Sequence, residues 1–153
     1  MVEEDEYRAT YNAINERRCV FEKSVNARRC ACVKSKKFCL ADREGVCCKS
    51  AAAQLLCSRL LHRMRENAQF TLQLTRITGP LPHAKEIKVQ SGGLLGLQAV
   101  VRPELAQATQ VEDIHGIVVA AVDMFGGLDN LPYGVINQNI ARFQGRPRRP
   151  HPG

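Results

Sequence analysis

The chain has 153 residues, 44% of them hydrophobic and 5% aromatic with no Trp, and a formal net charge of +7. That apolar content excludes a chain disordered throughout, and no stretch approaches the ~20 apolar residues of a membrane-spanning helix. The acidic opening Met1-Val2-Glu3-Glu4-Asp5-Glu6 is the reverse of an export signal, so the expected location is the cytoplasm.

Charge is uneven along the chain. From Asn15 to Arg65 there are 13 Lys/Arg against 4 Asp/Glu, a balance of +9, whereas the remainder holds 9 against 11. The basic stretch is also the cysteine-rich stretch, and a basic face attracts anionic partners.

In chain order, Tyr7, Tyr11, Ile14 and Phe21 recur at helical spacing and predict a first helix over about 4–22, with Cys19 off its apolar stripe. Residues 24–48 show no sustained apolar period and are dominated by Ser, Asn, Arg, Lys and Cys. A segment with so little to bury needs another source of order, and metal ligation is a common one. Ser50 is a good N-cap for a second helix from Ala51 to about Leu74. Ala53, Cys57, Leu60, Leu61, Met64 and Ala68 share one face of it, and Leu55 projects from the opposite side toward the cysteine segment.

Gly79-Pro80-Leu81-Pro82 ends this region. Glu86 to Gln90 alternates as a short strand would, and Leu94 to Val101 reads as helix. Val111, Ile114, Val118, Ala121, Met124 and Phe125 pattern a helix closed by Gly126-Gly127, and Tyr133, Ile136, Ile140 and Phe143 a last short one. The expected architecture is mostly α: an irregular cysteine-rich basic module over 1–76, a small helical core over 77–144 and a disordered Arg/Pro tail over 145–153. It allows at most one short β hairpin or strand.

The chemistry is concentrated in seven cysteines, at 19, 30, 32, 39, 47, 48 and 57. An odd number in a non-exported protein disfavours a disulfide scaffold. Thiolate is a soft donor suited to zinc and iron–sulfur clusters, and four thiolates complete either. There is no Cys-x2-Cys pair and no nearby pair of histidines. The set Cys30, Cys32, Cys39 and Cys48 is the first candidate for ligation, with Cys47 or Cys19 as substitutes, and Cys57 is assigned to the apolar face of its helix. Cys47 and Cys48 lie just before a helix N-terminus, which favours thiolate. Arg28, Arg29, Lys34, Lys36 and Lys37 surround the set and could contact nucleic acid or an acidic partner.

Other motifs are weaker. Ser91-Gly92-Gly93-Leu94-Leu95-Gly96 lacks the full phosphate-binding pattern and reads as a turn with close helix packing. Asp113 and His115 are two apart on a helix and do not face each other, so His115 is assigned to the surface or a cap. Phe38 is the only aromatic available for stacking in the basic stretch. Together these readings predict a small metal-binding protein without catalysis of its own. It would hold an iron–sulfur cluster or zinc and serve as a redox, electron-transfer or assembly partner. The competing readings are a zinc-stabilised nucleic-acid-binding regulator and a thiol or persulfide sulfur carrier.

Overall fold

Helix α2 (Ala51–Asn67) opens at Ser50, whose extended backbone lets its Oγ accept the Ala53 N–H at 3.1 Å. The structure, a computed structural model, describes residues 6, 9, 10, 17–40, 43–69 and 82–143. Ala53, Leu60, Leu61, Met64 and Ala68 are buried along one face of α2, as their spacing predicts. The helix stops at Asn67, well short of Leu74, and Leu55 points into solvent at 54% exposure rather than onto the cysteine segment.

Upstream of α2 the structure departs from the predicted pattern. Most of the expected first helix, including Tyr7, Tyr11 and Ile14, lies outside the described residues. Residues 17–21 are turn and bridge rather than helix, and the short helix α1 (Glu22–Asn26) follows. Strands β1 (Ser35–Leu40) and β2 (Arg43–Cys48) then form an antiparallel hairpin. The core-poor segment therefore does bury apolar groups: Val25, Cys30 and Val46 are all inside, beside Phe21.

The hairpin register decides which cysteines face inward. Ser35 pairs with Cys48, Lys37 with Val46, and Phe38 with Gly45. Directly opposed residues share a face, so Ser35, Val46 and Cys48 look toward the core. Lys36, Phe38, Arg43 and Cys47 look away, and the Phe38 ring covers Gly45, where any side chain would collide with it.

Downstream, α3 (His83–Ile87), a π-helical turn (Lys88–Gly92) and α4 (Gly93–Val101) follow without a break. The strand expected at Glu86–Gln90 is thus helical. Its buried residues, Glu86, Val89 and Gln90, recur at helical rather than alternating spacing. The glycine-rich stretch, expected as a turn with close helix packing, is itself helical, and the close packing is present: a Cβ at Gly92 would lie 2.9 Å from Ile140 Cα. Helices α5 (Ile114–Phe125) and α6 (Tyr133–Arg142) complete the packing, and α5 ends on Gly126 at φ 82°. The chain is mostly α with one short hairpin. No helix among the described residues is long and apolar enough to cross a membrane.

Buried residues from both halves of the sequence, among them Phe21, Val46, Leu60, Leu97, Ile114 and Ile136, form one hydrophobic cluster. The expected boundary after residue 76 and the tail over 145–153 lie outside the described residues. A polar chain crosses this core. Glu86, 1% exposed, accepts from Arg65 Nε at 3.1 and 3.2 Å and from Gln90 Nε2 at 3.0 Å. Gln90 Oε1 in turn accepts the Ser24 N–H at 3.2 Å. Glu86→Ala would strand a largely buried guanidinium, and a loss of about 3 kcal/mol is expected. It should appear as a lower urea midpoint at unchanged slope.

Candidate metal centre

Cys19 and Cys32 are placed by the same local device. Each opens a tight turn: Cys19 O accepts the Glu22 N–H at 3.2 Å, and Cys32 O accepts the Ser35 N–H at 3.1 Å. In each turn the amide two residues on, that of Phe21 or Lys34, donates to the cysteine's own sulfur. Cys32 also receives the main-chain N–H of His115, the second residue of α5, where helical amides lack carbonyl partners. Such donors favour the thiolate.

Cys48 arrives from β2, two residues before the N-cap of α2, and its thiol donates to Ser50 O at 3.1 Å. The strand end is pinned by Cys48 N–H to Arg17 O and Lys49 N–H to Lys34 O, both at 2.7 Å. Cys57 comes from α2 itself, one helical repeat beyond Ala53.

These four thiols, with Ser35, Ala53, Ile114 and His115, line one cavity of about 20 Å³, room for about one water-sized atom. Burial pushes the Cys19 and Cys57 thiols up from 9.0 to about 12, and the neighbouring sulfurs add to the effect. Cys32 is raised too, chiefly by burial. The thiols ring a common void without closing on it: among the described residues, no three His, Cys, Asp or Glu side chains are grouped to hold a metal ion as they stand. His115 Nδ1 is buried and has no hydrogen-bond partner.

Of the six cysteines proposed from sequence, the structure brings Cys19, Cys32 and Cys48 together. Cys30 is buried elsewhere, accepting from Ser24 Oγ at 3.0 Å, and burial raises it to about 11. Cys39 is exposed on β1, and Cys47 faces away from Cys48 across the pleat. Cys57, assigned to the core, joins the ring, because the inward face of α2 meets the cavity in its second turn. His115, assigned to the surface or a cap, lines the cavity instead. The repeated Cys-Val at 19–20 and 32–33, each starting a turn, is the signal that could have paired the first two thiols of the cavity wall.

The basic residues do not form one face. Arg28 pairs with Glu44 at 3.0 Å and Arg29 lies 5.5 Å from the centre of the Phe143 ring. Lys34 borders the cavity, and Lys36 and Lys37 are exposed on opposite faces of β1. No protein-family model, curated protein or solved structure matches the chain.

In the metal-free protein the raised thiols carry a pH dependence. A group with a higher pKa in the fold than in the unfolded chain contributes stability below its unfolded value and loses that contribution as pH rises toward its folded value. Unfolding midpoints are therefore expected to fall as pH is raised from 9.0 toward about 12, the values between which Cys19 and Cys57 are shifted. The decline should be shallower in a Cys19→Ser/Cys57→Ser variant.

Proposed function

We propose that the chain is a non-catalytic, cytoplasmic metal-binding module in which Cys19, Cys32, Cys48 and Cys57 hold one thiophilic centre. The carrying observation is the convergence of these four cysteines, drawn from separate segments, on one small cavity with amide donors already directed at two of the sulfurs. A cavity with room for about one atom suits a single tetrahedral ion, and zinc is the first choice for four thiolates. The thiols would close on it by side-chain rotation, since each cysteine has a single χ angle to adjust.

A second reading draws on the spacing of the same thiols. They stand too far apart to share an ion as they are, and a polynuclear iron–sulfur centre would hold them apart while using the same four ligands. Redox or electron transfer would then be its role. In either case the bound module offers Lys36 and Arg43 on the outward face of the hairpin, which supports docking to an acidic protein partner. Nucleic acid is less well supported: Phe38, the aromatic of that face, packs on Gly45 rather than standing free for a base.

Anaerobic purification followed by elemental analysis and an absorption spectrum tests the reading. A colourless protein with one zinc per chain is expected, and a brown protein with iron and sulfide would select the second reading. Ser at position 19, 32, 48 or 57 should reduce metal retention, whereas Cys39→Ser and Cys47→Ser should leave it unchanged. A chain that takes up neither zinc nor a cluster on reconstitution would falsify both.

A further inference from the structure

A second cavity, of about 470 Å³, opens between α1, α2 and the run of α3 into its π-helical turn, a size usual for small-molecule sites. It shares Cys19 and Val20 with the thiol cavity, and its wall presents polar surface beside apolar surface. Its charges are layered. Arg18 pairs with Glu22 and Arg65 with Glu86, and in each pair the carboxylate is the inner member. The Glu22 side chain is 8% exposed against 57% for Arg18, and that of Glu86 is 1% exposed against 18% for Arg65.

Both carboxylates are fixed in turn. Glu22 Oε2 accepts the Val46 N–H at 2.8 Å, and Gln90, from the π-helical turn, donates to Glu86 at 3.0 Å. Turns of this kind occur often at functional sites. A pair of buried ion pairs is a weak device for stability, since apolar replacements of the whole pair are often neutral or better. What this one does achieve is to hold two guanidinium groups in place as the outer members of the wall.

Donors remain unused on that wall. Arg65 commits Nε and Nη2 to Glu86, which leaves Nη1 without a partner among the described residues. The Lys23 ammonium and the Ser58 hydroxyl likewise have no hydrogen-bond or ion-pair partner among them. Three cations, Arg18, Lys23 and Arg65, stand against two carboxylates, so the cavity carries a net +1. One negative charge balances it, which favours a carboxylate over a dianionic phosphate ester. Val20 and Leu61 supply apolar wall beside these donors.

We infer that this cavity binds a small organic monocarboxylate. Its carboxylate accepts from Lys23, Arg65 and Ser58, and its apolar body lies against Val20 and Leu61. The inference goes beyond the metal reading and needs no metal.

The test titrates the full-length chain with sodium benzoate by calorimetry, alongside benzamide as the uncharged counterpart and phenyl phosphate as the dianion. Benzoate should bind saturably, and benzamide about tenfold more weakly, as loss of a charge-assisted hydrogen bond implies. Lys23→Gln should weaken benzoate about tenfold, and Ser58→Ala, which suits a helix, about threefold. Neither change touches a paired carboxylate, so the unfolding midpoint should hold in both variants. Lys36→Gln, on the outward face of the hairpin, should leave benzoate binding unchanged and so separates the site from a general effect of net charge. Absence of saturable benzoate binding, equal binding of benzamide, or equal losses in Lys23→Gln and Lys36→Gln overturns the site. Phenyl phosphate binding more tightly than benzoate overturns its assignment to a monocarboxylate. Metal analysis of the same chain is a separate readout, so neither conclusion falls with the other.

Discussion

The short backbone ladder between residues 29–33 and 111–114 is the contact on which the candidate centre depends. Ala31 N–H donates to Val111 O, Ile114 N–H to Ala31 O, both at 2.8 Å, and Val111 N–H to Arg29 O at 2.9 Å. Asp113 Oδ1 accepts the Val33 N–H at 3.1 Å. Cys32 lies between these bonds, so its sulfur is delivered to the open amides of α5 and His115 is delivered with it. Cys48 comes from the hairpin, Cys57 from α2 and Cys19 from the turn before α1, where its N–H donates to Val46 O of β2 at 2.9 Å. The site is a junction between segments remote in sequence.

Burial works against ionised thiols at such a junction. Keeping Cys19 or Cys57 ionised against burial costs on the order of 4 kcal/mol each, from a displacement of 9.0 to about 12. Amide donors and helix ends contribute a few tenths to about 2 kcal/mol apiece and do not by themselves offset that. Structural zinc supplies ~10–16 kcal/mol in thiolate sites. Burial therefore keeps Cys19 and Cys57 as thiols in this fold, and thiolates at those positions would need a counter-charge brought by a ligand.

Much of the fold was legible in the sequence, and the site only in part. The Ser50 cap, the apolar face of α2, the helix closed by Gly126 and the last helix could each be read, because a cap or a 3.6-residue period is written locally. Glu86–Gln90 misled because Ile87 and Val89 alternate, whereas the buried Glu86–Gln90 pair that makes it helical depends on the distant Arg65 and Ser24. Cysteine density located the module, but density favours Cys30 and Cys39, which the hairpin and the Ser24 contact take elsewhere. Membership of Cys57 and His115 is set by which helix faces meet at the cavity, and linear spacing does not record that.

The ring of Phe38 over the bare backbone of Gly45 has a consequence for adjacent thiols. A one-residue slip in a hairpin turns every side chain to the opposite face, and here it would exchange Cys48 for Cys47 at the cavity wall. The aromatic fits only where there is no Cβ beneath it, so this pair works as an indexing pin. Two chemically identical sulfurs stand side by side in the chain, and a glycine three residues from Cys48 sets which of them lines the cavity.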